Sequence, residues 1–76
     1  MFKSKSKQAK KEMEELFHEI QINLENNYKD LAIGARKKTA ERLEELNASG
    51  ELNAKDYSKL KARLDDVTKK MEGYHH

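Results

Sequence analysis

The chain has 76 residues, 36% of them apolar and 39% charged, with a formal net charge of +2 and neither cysteine nor proline. This length allows one small domain with a thin core, and the missing cysteines exclude disulfides and cysteine-type zinc sites. No apolar run approaches the roughly 20 residues that span a membrane. The first residues lack the apolar segment of a secretory signal, so cytoplasmic residence is expected. Richness in Lys, Glu, Leu and Ala belongs to helical bundles and coiled coils.

Charge is unevenly spread. Residues 1–11 carry Lys3, Lys5, Lys7, Lys10 and Lys11 and no acid; removing those five from +2 leaves −3 for the rest. The organisation expected is a basic, flexible tail over 1–11, a single helical domain over 12–74 and a short tail at 75–76. Ser4 or Ser6 is suited to cap the first helix. Its apolar stripe is Met13, Phe17, Ile20 and Leu24, widened by Leu16, and the spacing is helical. Glu12, Glu14, Glu15 and Glu19 fall off the stripe.

Asn26-Asn27 is the branch point. Asn27 can cap a new helix with Asp30 in the capping-box position, and Asn26 can take the left-handed conformation that ends the first helix. Against a break, Leu24, Tyr28, Leu31 and Ala35 continue the helical rhythm without interruption. The second helical segment carries Tyr28, Leu31, Ala32, Ala35, Thr39, Leu43 and Leu46. Gly34 within it marks either close helix packing or a weak point, since glycine costs up to about 1 kcal/mol relative to alanine in a helix.

Gly50 supplies the permissive backbone that closes this helix. Asn53 caps the next one, with Asp56 at its third position, and Leu52 and Tyr57 match a hydrophobic staple. Tyr57, Leu60, Leu64, Val67, Met71 and Tyr74 then follow the narrow seam of coiled-coil-like packing. Gly73 is placed to end the helix.

In Leu43, Leu46, Gly50, Leu52, Asn53, Asp56, Tyr57, Lys61 and Leu64, residues 41–64 resemble the short C-terminal domain (SHOCT) family of bacterial helical hairpins. The resemblance implies an oligomerisation or interaction module with no catalytic residue. The long helical stretch before the hairpin departs from that pattern, so no site residue is carried over.

Signals for chemistry are sparse. His18 has Glu14 one turn away, but a metal site needs three or four ligands. His75 and His76 are terminal and read as native residues or as the remains of a purification tag. Carboxylates are plentiful on solvent-facing helix positions, whereas acid–base catalysis needs a concave, partly desolvated setting. No glycine-rich phosphate loop or nucleophile motif is present. No enzyme, cofactor, metal or small-molecule substrate is therefore expected.

Two kinds of surface remain. The stripe Met13, Phe17, Ile20 and Leu24 is the candidate interaction surface for a protein partner or a second copy. Lys3, Lys5, Lys7, Lys10 and Lys11, with Arg36, Lys37 and Lys38, are candidate electrostatic contacts to nucleic acid or anionic membrane. A helix-turn-helix reading would place Lys55, Ser58, Lys59 and Arg63 on a reading helix, but the turn before it joins long helices that look antiparallel.

The fold expected is all-α, a small antiparallel three-helix bundle with helices near 6–25, 28–48 and 53–73. The rival is a long helix over 6–48, about 65 Å by its rise per residue, paired with a helix of about 30 Å. That rival leaves the first stripe uncovered and must dimerise into a larger bundle. The function expected is a small non-enzymatic protein-interaction or regulatory module acting through an apolar helix surface. The alternative is electrostatic binding through the basic N-terminus and the 36–38 patch.

Overall fold

The computed structural model describes residues 5–72 as three helices, α1 (Lys5–Glu25), α2 (Lys29–Ser49) and α3 (Ala54–Glu72). They form an up-down-up bundle. Arg42 of α2 meets Glu12 of α1 and Lys38 meets Glu19, so the first pair runs antiparallel. Glu44 of α2 meets Tyr57 and Lys61 of α3, while Arg36 meets Thr68, so the second pair is antiparallel too. The three-helix arrangement, not the long-helix rival, is the fold.

The break at Asn26-Asn27 is real, and Asn27 makes it. Its φ of 61° is left-handed. Asn27 N–H donates to the Leu24 carbonyl at 3.1 Å, and Tyr28 N–H to the Asn23 carbonyl at 2.8 Å. These paired bonds satisfy carbonyls that the helix end would otherwise leave open. The left-handed residue is thus Asn27, not Asn26, and Asn27 does not cap α2. Tyr28 precedes α2 and makes no side-chain cap bond. The other turn repeats the device. Gly50 has φ 84°, and Gly50 and Glu51 N–H donate to the Asn47 and Leu46 carbonyls at 3.2 and 3.1 Å.

The start of α3 follows its sequence signals. Asn53 Oδ1 accepts the Asp56 N–H at 2.8 Å. Leu52 is buried, and Tyr57 packs on the same core cluster. Asn53→Ala removes this bond and is expected to cost about 1 kcal/mol in a urea melt; an unchanged midpoint would show that the cap contributes nothing.

One core joins the three helices. Ala9, Met13, Phe17 and Ile20 of α1 meet Ala35, Leu43 and Leu46 of α2, Leu52 of the turn, and Leu60 and Leu64 of α3. Leu16, Leu24, Ala40, Tyr57, Val67 and Met71 pack around it half-buried. Thr39 is fully buried, and its hydroxyl donates to the Ala35 carbonyl at 2.7 Å, so no polar group is orphaned there. Ala32, Ala35 and Thr39 are small, which lets α1 and α2 approach along most of their length. The contact between α1 and α3 is the sparsest.

Two expectations change in this packing, and one open alternative is settled. Residues 5–11 belong to the first helix expected near 6–25 and are not a flexible tail: α1 begins at Lys5, and Ala9 is 2% exposed in the core. Tyr28 and Leu31 do not continue the core stripe, being 54% and 60% exposed. The buried face of α2 is instead Ala32, Ala35, Thr39, Leu43 and Leu46. Gly34 is the weak point, not a close contact, because a Cβ built there meets nothing within 4 Å. Gly34→Ala is accordingly expected to stabilise the protein by about 0.5–1 kcal/mol, read as a raised melting temperature; a fall would indicate hidden crowding at that site. Ser4, Gly73 and Tyr74 lie outside the described residues.

Candidate interaction surface

The first helix stripe proves to be interior. Met13, Phe17 and Ile20 are 0%, 3% and 0% exposed, and only Leu24 is half-buried. As a candidate surface it is therefore corrected: folding back at Asn27 covers it with α2 and α3. Three of its four residues are spent on the protein's own core.

Arginines on the neighbouring helices fasten this stripe in place. Arg42 of α2 holds Glu12 of α1 with two bonds, Nε at 2.7 Å and Nη2 at 3.1 Å, and reaches Glu45 at 3.1 Å. The hydrogen bonds to Glu12 and then Glu45 push the guanidinium pKa still higher, so it stays charged throughout the accessible pH range. Arg63 of α3 lies over the Phe17 ring, 4.4 Å from its centroid, and donates to Glu14 at 2.6 Å. Arg63 thus bridges the sparse α1–α3 seam, which Lys10 and Asp56 also span at 3.6 Å. Between α2 and α3 the Tyr57 hydroxyl donates to Glu44 at 2.8 Å. That carboxylate, with burial as the lesser cause, holds the phenol above its ordinary pKa.

The electrostatic candidates fall into separate groups. Lys3 lies outside the described residues. Lys5, Lys7, Lys10 and Lys11 are exposed on the first turns of α1, with Lys10 paired to Asp56 at 3.6 Å. Lys37 and Lys38 are exposed on α2, and Lys38 sits 4.0 Å from Glu19. Lys11 lies about 12 Å of helix rise from that point. Arg36 is half-buried and turns toward α3, where Nη1 donates to Thr68 Oγ1 at 3.4 Å.

His18 is exposed and lines a shallow depression with Lys11, Glu14, Glu15, Gln21 and Arg63. Glu14, its neighbour one turn away, is engaged by Arg63. Among the described residues no group of three or more His, Cys, Asp or Glu is placed to hold a metal ion, and no helix is long and apolar enough to cross a membrane.

What the stripe does not supply, the end of the bundle does. Among the described residues the exposed large apolar side chains are Ile22, Tyr28, Leu31 and Ile33, 41–60% exposed, all within residues 22–33. They surround the α1–α2 turn. Leu31 and Ile33 are two residues apart on a helix and so point to opposite flanks of α2. On one flank Ile33 borders a groove lined also by Leu24, Lys29, Arg36, Thr68 and Met71, with Glu72 at its α3 edge. The signal for this surface is an apolar residue off the helical stripe, and Ile22 and Ile33 are both such residues.

The chain has no significant match to any protein-family model, curated protein or solved structure. Function must therefore be read from the geometry of this surface.

Proposed function

We propose that this is a small, non-enzymatic protein-interaction module whose docking surface is the apolar end of the bundle around the α1–α2 turn. The observation that carries this is the confinement of Ile22, Tyr28, Leu31 and Ile33 to that one end, while the large apolar residues elsewhere in residues 5–72 are buried or half-buried. Apolar side chains scattered singly over a surface need no explanation, whereas four gathered at one end of a small bundle, on both flanks of its turn, favour contact with another molecule. The resemblance of residues 41–64 to an interaction hairpin supports an interaction module, while that hairpin itself forms the opposite, α2–α3 end of the bundle. A second copy of the chain is the partner that any preparation of the protein supplies.

Sedimentation equilibrium of the wild type and of Leu31→Glu tests this. The wild type is expected to rise above its 8.9 kDa chain mass as concentration increases. Leu31→Glu is expected to stay at that mass with unchanged helicity, because Leu31 contributes little to the core. A wild type that remains monomeric up to millimolar concentration would sink self-association through this end.

Electrostatic binding is the second reading. It would use Lys5, Lys7, Lys10 and Lys11 on α1 and Arg36, Lys37 and Lys38 on α2. Their separation along the bundle gives it less support than a continuous basic stripe would. Titration with duplex DNA and with anionic vesicles at two salt concentrations addresses it, and binding that ignores salt, or none, removes it.

A further inference from the structure

The groove beside Ile33 carries an assignment of its own. Its walls are Leu24 from α1, Ile33 from α2 and Met71 from α3, and its volume is about 280 Å³. That lies just below the roughly 300–1,000 Å³ typical of sites for drug-sized ligands. Space of this size suits a single ring or a short alkyl chain.

Arg36 supplies the polar end. The chain has three arginines, and the other two are committed to carboxylates: Arg42 to Glu12 at 2.7 Å and Arg63 to Glu14 at 2.6 Å. Arg36 has no carboxylate within ion-pair distance among the described residues, and its hydrogen bond is to Thr68 Oγ1 at 3.4 Å. The Thr68 hydroxyl donates to the Leu64 carbonyl at 2.9 Å, leaving a lone pair to orient the guanidinium. Arg36 is half-buried as a residue, and Thr68 is its one side-chain hydrogen-bond partner among the described residues; a guanidinium with donors to spare beside an apolar wall is shaped for two-point contact with a carboxylate. Lys29 lines the same groove on the α2 side and adds a second positive charge, while Glu72 on the α3 edge disfavours an anion there.

We propose that the groove between α2 and α3 binds a small amphipathic monocarboxylate, with Arg36 receiving the carboxylate and Leu24, Ile33 and Met71 its apolar body. This stands apart from the docking surface, with which it shares only Ile33.

The test is a ¹H–¹⁵N titration of the full chain with 4-phenylbutyrate and, in parallel, with 4-phenylbutyramide, which keeps the shape and removes the charge. Saturable shifts are expected at Leu24, Ile33, Arg36, Thr68 and Met71, with the amide about tenfold weaker. Arg36→Gln is expected to bring the acid down to the affinity of the amide and to leave the amide unchanged, a pattern that general loss of structure would not give. Met71→Asp is expected to weaken both ligands. Leu31→Glu should change neither, so the outcome is separate from that of the docking test. Three results would each overturn the proposal: no saturable shift in the millimolar range, equal affinity for acid and amide, or shifts centred on Lys5 to Lys11.

Discussion

Leu43→Ala is expected to remove about 2–5 kcal/mol of stability. Leu43 is 0% exposed and belongs to the cluster that joins all three helices. Truncation deletes buried methyl groups and leaves a cavity that neighbours fixed on three helices cannot fully collapse into. A domain of this size has a total stability of about 4–11 kcal/mol at the usual per-residue range. The variant should therefore lose a large share of that stability and unfold at a clearly lower urea concentration. Leu31→Ala, at a residue 60% exposed, is the control, and it should stay within about 0.5 kcal/mol of the wild type. Urea unfolding of the pair checks the register of α2 directly. Equal losses at the two leucines would mean that Leu31 is core and that α2 is rotated from the orientation described.

Phe17→Ala has the second large effect, about 3–5 kcal/mol. The ring is 3% exposed and serves two contacts, the core on one side and the Arg63 guanidinium on the other. Losing it opens the α1–α3 seam, where the helices touch least and few other contacts compensate. A double-mutant cycle with Arg63→Ala is expected to return a coupling of about 0.5–1 kcal/mol, the range for a cation over an aromatic face. Strict additivity would show that Arg63 does not rest on the ring in solution. A Phe17 variant with an unchanged midpoint would return the α1 stripe to the surface.

Much of this fold is legible along the chain because the signals are local. Gly50 closes α2 by its left-handed backbone, and Asn53 opens α3 by accepting the Asp56 N–H. Both depend on residues within one turn of each other, so sequence spacing is enough to find them. The stripe Met13, Phe17 and Ile20 is equally plain, since helical periodicity alone places those residues on one face. Whether that face is core or interface is another matter. It depends on what lies opposite, and periodicity carries no information about that.

Asn27 shows the limit well. Either asparagine tolerates the left-handed conformation, and a two-residue ambiguity decides which carbonyls the turn satisfies. The unbroken rhythm from Leu24 through Leu31 conceals the reversal, because apolar spacing alone does not show that Tyr28 and Leu31 lie on the exposed side of α2. Its buried face is set by Ala32, Ala35 and Thr39, small residues chosen by the close approach of α1, so the larger Leu31 is left at the flank. Arg36 is a similar case. As one of three consecutive cations it reads as part of a basic patch. In the fold it turns away from Lys37 and Lys38 toward Thr68.

Composition, caps and periodicity are thus sufficient for an all-α protein with a helical hairpin at Gly50, since each of these is a short-range property of the backbone and its nearest side chains. The reversal at Asn27, the burial of the α1 stripe and the exposure of Ile22, Tyr28, Leu31 and Ile33 follow from long-range packing. Three helices with thin apolar faces cover one another first, and the apolar residues left at the open end become the surface offered to other molecules.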